Sequence, residues 1–232
     1  MLIGVSFKYS DIKNNILGTD FNKIASLAEN FGISSVTLKL TNENDLNDFF
    51  IQEFSEVHGI KLNLEIPISK DFQQFVLKFK PHACYIAPEK SNENECPRGV
   101  NVAGQMPKLI SFIGPLFLSG INTGIIISPD TEQIQAAANT GVRLIEINAS
   151  SYADSAGTEY ERSEFQKLKN VVESAQKLNL NVKLGRGLTY QNIAQLKEII
   201  GISELNIGHA VMSRALSVGF ETAVRELKEL ID

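Results

Sequence analysis

Short apolar runs alternate with amphipathic segments along most of the chain. The apolar runs occupy residues 2–7, 35–40, 62–68, 83–87, 123–127, 143–147, 182–184 and 205–207. Each run is nearly continuous in hydrophobicity, which is typical of strands in a parallel sheet whose outer face is covered. The pattern therefore predicts eight β-strands.

The segments between these runs carry apolar residues at helical spacing. In residues 21–31, for example, Ile24, Leu27, Ala28 and Phe31 fall on one helical face. The same reasoning predicts helices over 46–57, 71–79, 108–118, 131–138, 164–178 and 190–200, and one long helix over 211–231. Glycines stand where several of these helices are expected to stop.

Eight strand–helix units in succession favour a closed (β/α)8 TIM barrel, here expected as a single domain over residues 1–232. The alternative is an open doubly wound sheet, which usually places a glycine-rich phosphate loop after its first strand. The first strand here is followed by Lys8-Tyr9-Ser10-Asp11, which contains no glycine. The polar stretch 88–105 is longer than an ordinary connection, so we expect it to be a lid or a substrate loop.

Composition narrows the class of partner. The 232 residues are 43% apolar and carry a net charge of −5, with no basic run that would indicate nucleic-acid binding. No apolar run approaches the length of a membrane span, and the N-terminus does not resemble a signal peptide. Cys84 and Cys96 form neither a disulfide framework nor a metal pattern. We expect a cytoplasmic protein without nucleic-acid or membrane partners.

Two late strands end in glycine and lead into a helix. Gly187 follows the seventh strand, and Gly208-His209 follows the eighth. Glycine allows the backbone to approach a ligand closely, and helix N-termini offer free N–H groups to an anion. In a barrel, the loops after strands seven and eight often bind phosphate. Gly187, Gly208 and His209 are therefore candidate phosphate-binding residues, although a structural histidine near a helix start remains an alternative for His209.

Ionisable and polar side chains at the strand ends are candidates for chemistry, because barrel active sites lie there. These residues are Ser6, Lys8, Lys39, Glu65, Glu146 and Arg186. A carboxylate flanked by apolar residues, as at Glu65 and Glu146, indicates either a general acid/base or a structural ion pair, for instance with Lys39. Lys39 itself permits four readings: phosphate binding, pairing with Glu65, Schiff-base formation with a ketone, or a lysine whose amine reaches solvent. No carboxylate–histidine metal cluster is visible.

Several motifs resemble the pyridoxine 5′-phosphate synthase family. They are Pro81-His82-Ala83-Cys84-Tyr85-Ile86-Ala87-Pro88-Glu89-Lys90, Asn101-Val102-Ala103-Gly104-Gln105, Leu144-Ile145-Glu146-Ile147 with Tyr152-Ala153-Asp154, Gly187-Leu188-Thr189-Tyr190 with Asn192, and Glu204-Leu205-Asn206-Ile207-Gly208-His209-Ala210 with Arg214-Ala215. The resemblance extends over nearly the whole chain and is strongest from Pro81 onward.

The resemblance implies a (β/α)8 barrel assembled as a homo-octamer in vitamin B6 synthesis. It implies condensation of 3-amino-2-oxopropyl phosphate with 1-deoxy-D-xylulose 5-phosphate, with no metal or organic cofactor. By the same resemblance, Glu65 corresponds to the catalytic glutamate and Glu146 to a glutamate that stabilises the transition state. Gly187, Gly208 and His209 correspond to the phosphate site of the amine substrate.

The chain departs from the family pattern at both catalytic histidines. Lys39 stands in place of the histidine of strand two, and Arg186 in place of the histidine after strand seven. The opening Asn-x-Asp-His motif is replaced by Ser6-Phe7-Lys8-Tyr9, the loop threonine by Cys96, and an early arginine by Leu17. Arginine does not release its proton near neutral pH. The alternative function is therefore a barrel that binds a small phosphate ester without synthase turnover, either as a regulator or as a repurposed lyase.

Overall fold

Eight parallel strands close into a barrel in chain order, and the first strand pairs with the last. The computed structural model describes residues 1–13, 21–43, 46, 59–89 and 98–231. The strands are β1 Leu2–Lys8, β2 Ser35–Lys39, β3 Lys61–Ile66, β4 Ala83–Ile86, β5 Asn122–Ile127, β6 Leu144–Asn148, β7 Asn181–Gly185 and β8 Ile202–Ile207. The predicted (β/α)8 barrel is thus confirmed, and the open sheet is excluded.

Helices surround this barrel on its outer face. They are α1 Tyr9–Lys13, α2 Phe21–Asn30, α3 Lys70–Phe79, α4 Val102–Leu118, α5 Thr131–Asn139, α6 Ser150–Asp154, α7 Glu161–Lys177, α8 His209–Val218 and α9 Phe220–Glu229. Among the described residues, no helix combines the length and apolar character needed to cross a membrane. The helix expected over 46–57 lies almost wholly outside the described residues.

Two of the helix predictions were wrong in extent. The single helix expected over 211–231 is two helices. Gly219 adopts a φ of 82°, which ends α8 and separates it from α9. Only Ala194–Glu198 of the expected helix 190–200 is helical, and it is a 3₁₀ turn. Upstream of it, the Asn192 side chain accepts from the Thr189 N–H and donates to the Gly187 carbonyl, which favours a turn over a helix.

The connection after β4 is more ordered at its end than the sequence indicated. Helix α4 begins at Val102, inside the stretch 88–105, and the Asn101 side chain caps it by accepting from the Gly104 N–H at 3.0 Å. The sequence pattern placed the start at 108, directly after Pro107, whereas in the structure the helix extends back to Val102 across a kink at Gln105. Residues 90–97, which include Cys96, lie outside the described part, so the lid interpretation stays untested.

Residues alternate between two environments along the strands, rather than being uniformly apolar. In β3, Leu62, Leu64 and Ile66 pack against the helices in the main core, whereas Asn63 and Glu65 face the barrel interior. Apolar interior residues include a small cluster of Ala83, Tyr85 and Ile126. The interior therefore combines a few apolar side chains with many buried polar ones, and these polar groups need partners inside the barrel.

The floor of the barrel contains an ionic cluster that satisfies this need. Lys183 forms an ion pair with Glu204, and its amine lies 4.8 Å from the centre of the Tyr85 ring. The hydroxyls of Ser34 and Ser35 lie 2.7 Å and 2.9 Å from the two carboxylate oxygens of Glu204. We call these five residues the floor cluster. Ser34 and Ser35 stand at the start of β2, whereas the candidate Lys39 ends the same strand, so this part of the cluster lies toward the N-terminal end of the barrel.

Candidate active site

Four charged candidates meet at the C-terminal end of the barrel. Lys39 is the last residue of β2 and is paired in register with Glu65 of β3. Glu146 lies at the centre of β6, and Arg186 directly follows β7. Because inward-facing side chains at strand ends share one cavity, these four residues come together although they are far apart in sequence.

Arg186 joins the two carboxylates. One of its terminal nitrogens lies 2.5 Å from Glu65 Oε1, and its Nε lies 3.8 Å from Glu146 Oε1. Lys39 Nζ lies 3.8 Å from Glu65 Oε2. Glu65 and Glu146 are only 6% and 2% exposed, so each carboxylate needs a partner to remain charged. The ion pair between Lys39 and Glu65 that the sequence left open is present, and Arg186 makes a closer contact with the same carboxylate.

The backbone at Arg186 has an unusual conformation. Arg186 has a φ of 73° and Gly187 a φ of 70°, so two consecutive residues lie in the left-handed region. A non-glycine residue there carries a cost of about 1–3 kcal/mol, and such residues concentrate at functional sites. The turn carries the guanidinium back over the barrel, where the two carboxylates hold it.

Glu146 is fixed by two neighbours that the sequence did not single out. Asn206 of β8 donates its Nδ2 to Glu146 Oε2 at 2.8 Å. Gly185 of β7 leaves the space that the carboxylate occupies, since a Cβ at that position would lie 2.5 Å from Glu146 Oε1. A glycine and an asparagine inside apolar strands were the available signals, because both are disfavoured there without a structural reason.

A methyl group at position 185 is therefore expected to displace the Glu146 carboxylate. We expect Gly185→Ala to lower the rate of a reaction catalysed at this site by on the order of 10²-fold, the cost of misplacing a positioned group by about an ångström. Circular dichroism should still show a folded barrel. The control is Gly114→Ala, where an added Cβ meets nothing within 4 Å. Equal rates in the two variants would show that the reaction does not depend on the position of the Glu146 carboxylate.

Several buried oxygen atoms in this region have no hydrogen-bond donor among the described residues. They are Asn63 Oδ1, Glu65 Oε2, Glu146 Oε1 and Asn206 Oδ1. Unsatisfied buried acceptors cost about 1–3 kcal/mol each, so they are rare unless a ligand supplies the donor. An amine or hydroxyl group of a substrate offers such donors.

Tyr85 of the floor cluster is paired in register with Glu65, so the cluster adjoins the candidate site. Burial raises the pKa of its phenol well above the usual value, and the negative charges of Glu146 and Glu204 raise it further. Tyr85 therefore stays protonated across the physiological pH range and adds no negative charge to the barrel interior.

The candidate phosphate-binding residues lie on neighbouring strands. Gly187 follows β7 and Gly208 follows β8, and these strands pair with each other in the barrel. Gly208 precedes the first residue of α8, His209, which is exposed. A Cβ on Gly208 would lie 2.6 Å from the Ser6 carbonyl oxygen and 2.7 Å from its hydroxyl, so β1 packs directly against this turn.

The remaining candidates complete the mouth of the barrel. Ser6 is buried beside Gly208, and Lys8 is the exposed last residue of β1, in register with Lys39. Arg98, which the sequence did not indicate, crosses toward α6 and contacts Ser151 and Asp154. Within the described part of the chain, no group of three histidine, cysteine or acidic residues is arranged to hold a metal ion.

The amino-acid sequence is similar to that of one family of known proteins. A family model described as pyridoxal phosphate biosynthesis protein PdxJ matches residues 17–232. The pyridoxine 5′-phosphate synthase of Syntrophotalea carbinolica is 37% identical over 208 residues, which cover 89% of this chain and 87% of the relative. The enzyme of the same name from Citrifermentans bemidjiense is 35% identical with the same coverage.

Solved structures with low sequence identity share the fold. The tryptophan synthase α-subunit of Pyrococcus furiosus superposes with a TM-score of 0.66 at 12% identity, covering 99% of this chain and 97% of that one. A 4-hydroxy-2-oxoglutarate aldolase superposes with a TM-score of 0.67 at 11% identity, covering 99% and 94%. At such identities the likeness concerns the barrel alone.

Proposed function

The chain belongs to the PdxJ family of pyridoxal phosphate biosynthesis proteins, and from this premise we propose that it acts as a pyridoxine 5′-phosphate synthase. The reaction condenses 3-amino-2-oxopropyl phosphate with 1-deoxy-D-xylulose 5-phosphate. The observation that carries the proposal is the group of two carboxylates and two cations at the mouth of the barrel. The group lies beside two glycine turns suited to phosphate.

Glu65 is the acid/base in this proposal. Arg186 holds Oε1, whereas Oε2 has no hydrogen-bond donor among the described residues. One oxygen is therefore fixed and the other is left for a proton of the substrate. Forming an imine, eliminating water and closing a ring each require a proton to move, and a positioned carboxylate can carry out such transfers.

Glu146 and Arg186 serve as fixed charges. Glu146 is held by Asn206, and its buried negative charge favours the cationic iminium that forms when the amine and ketone condense. Arg186 keeps its proton at all relevant pH values, so its role is electrostatic: it positions Glu65 and attracts the anionic substrates.

The phosphate of the amine substrate binds at the turns after β7 and β8. Gly187, Gly208 and His209 provide backbone N–H groups there, and the Ser6 hydroxyl lies next to Gly208. Lys8 adds positive charge at the rim, where it attracts the second phosphate. Both substrates are small phosphorylated molecules, and neither requires nucleic acid or a membrane.

Closing the space at Gly208 is expected to weaken phosphate binding. In Gly208→Ala the new methyl group meets backbone oxygen of Ser6 at 2.6 Å, so the turn must shift. Losing one charge-assisted hydrogen bond, at about 1.5–3 kcal/mol, raises the dissociation constant by roughly 10- to 100-fold. Isothermal titration calorimetry with 3-amino-2-oxopropyl phosphate measures this constant. Gly114→Ala is the matched control, and equal affinities would remove the turn from the site.

The purified protein, given both substrates, is expected to release pyridoxine 5′-phosphate and inorganic phosphate. Liquid chromatography identifies the first product and a phosphate assay the second. A preparation that binds both substrates but yields neither product would overturn the proposed synthase. Light scattering on the same preparation tests the expected homo-oligomer.

The second candidate function is phosphate-ester binding without turnover. Lys39 and Arg186 both contact Glu65, so two cations neutralise the carboxylate that would transfer protons. This candidate predicts that 3-amino-2-oxopropyl phosphate binds tightly while product formation stays at the level of a protein-free sample. It also predicts that Glu65→Gln leaves the binding affinity nearly unchanged, because the phosphate is held elsewhere.

A further inference from the structure

Lys39 occupies an unusual position for a lysine. It ends β2 with a side chain that is 19% exposed, so its amine lies at the mouth of the barrel rather than in bulk solvent. Its ion pair with Glu65 Oε2 is longer than a hydrogen bond, at 3.8 Å, whereas Arg186 contacts the other carboxylate oxygen at 2.5 Å. The amine is therefore close to a carboxylate without being tightly held by it.

We propose that Lys39 is a covalent catalyst, whose amine forms an iminium with the ketone of a keto-phosphate substrate. This inference rests on the proposed function, because it assigns the first covalent step of the same condensation. Both proposed substrates carry a ketone, and the sugar phosphate is the partner whose carbonyl carbon the substrate amine must attack.

The first step forms a bond between Lys39 Nζ and the carbonyl carbon. The Lys39 ammonium first gives one proton to Glu65 Oε2, which lies 3.8 Å from Nζ. The neutral amine then adds to the carbon, the π electrons pass to the oxygen, and Glu65 gives that proton to the oxygen to form a hydroxyl. The nitrogen loses a second proton to Glu65 Oε2, and Glu65 passes it to the hydroxyl, which leaves as water while the nitrogen lone pair forms the C=N bond of the iminium.

The second step releases Lys39. The amino group of 3-amino-2-oxopropyl phosphate adds to the iminium carbon, a proton passes between the two nitrogens, and the bond to Nζ breaks. The lysine amine is regenerated and the two substrates are joined as an imine. The sum is one ketone and one amine giving one imine and one water, so no oxidant or reductant is required.

Other cations around the barrel fit this role less well. Arg186 carries a guanidinium, which stays protonated and is not a nucleophile. Lys183 is buried in the floor cluster, where it is paired with Glu204 and its amine lies over the Tyr85 ring. Lys8 is in register with Lys39 but is exposed at the rim, and among the lysines of the described residues it is Lys39 that pairs with Glu65. Lys39 combines access with a carboxylate that can shuttle a proton.

Borohydride reduction tests the iminium directly. The full-length protein is incubated with 1-deoxy-D-xylulose 5-phosphate alone and treated with sodium borohydride, and the peptides are mapped by mass spectrometry. We expect the peptide containing Lys39 to gain the mass of the sugar phosphate, less one water and plus two hydrogens. The Lys39→Arg variant keeps a cation beside Glu65 but cannot form an imine, and it should show no adduct at this peptide.

The outcomes separate this inference from the proposed function. An adduct at Lys39 supports it whether or not pyridoxine 5′-phosphate forms with both substrates. Product formation without an adduct overturns the covalent role while leaving the synthase in place. An adduct at Lys8 or other lysines, equal in wild type and Lys39→Arg, also overturns it. Melting temperatures of both proteins verify that the variant is folded.

Discussion

Replacing Glu65 with glutamine is expected to lower the rate of pyridoxine 5′-phosphate formation by about 10²–10⁴-fold, the usual contribution of a positioned acid/base. Glutamine keeps the size of the side chain but accepts no proton at neutral pH. The substitution also removes the charge that Arg186 contacts at 2.5 Å and Lys39 at 3.8 Å. Single-turnover kinetics with both substrates measure the chemical step separately from product release.

The matched control for this variant is Glu226→Gln. Glu226 makes a two-pronged contact with Arg214 between α8 and α9, at 2.7 Å and 2.8 Å, and belongs to a helix on the outer face of the barrel. We expect its turnover to equal that of the wild type. If Glu65→Gln retained turnover within a factor of a few of this control, Glu65 would be a structural ion-pair partner and not the acid/base.

Replacing Lys183 with methionine is expected to destabilise the barrel by about 3–5 kcal/mol. The substitution leaves Glu204, which is 5% exposed, with two hydroxyl partners but no cation. A buried carboxylate without a cation must either take up a proton or draw water into the floor of the barrel. Both responses cost free energy. Urea unfolding followed by circular dichroism measures the change.

An exposed lysine provides the comparison for this prediction. Lys108 pairs with Glu89 at 2.9 Å, but both side chains are about half exposed, so Lys108→Met should cost no more than about 1 kcal/mol. A double variant, Lys183→Met with Glu204→Gln, should recover part of the loss because no buried charge is left unpaired. Equal losses for Lys183→Met and Lys108→Met would show that the floor cluster contributes no more than a surface ion pair.

The sequence predicted the barrel because the hydrophobic periodicity and the order of strands and helices along the chain largely specify this fold. All eight predicted strands are present, with bounds within a few residues of those predicted. Each strand places apolar side chains where the helices cover them, and this gives the apolar runs seen in the sequence. The errors occurred where one residue overrode a pattern. Gly219 divides an otherwise continuous helical pattern, and Asn192 replaces helical hydrogen bonds with its own.

The candidate site was predictable in part. Glu65, Glu146, Lys39 and Arg186 could be named because charged residues at strand ends are uncommon and barrel chemistry occurs there. The pairing of Lys39 with Glu65 was one of the alternatives that the sequence offered. The closer partner could not be named, since nothing local indicates that Arg186 would reach Glu65 across 121 positions of the chain. Gly185 and Asn206 were missed, because their importance is the space and the hydrogen bond that they provide for Glu146.

The chain by itself determined the order of strands and helices, the family, and the residue types available for chemistry, because these follow from local spacing and from matching motifs. Only the tertiary structure decided which charges neutralise one another and which oxygens remain without a donor. Those properties depend on distances between side chains on different strands, and such distances are set when the barrel closes and its buried charges must find partners inside it.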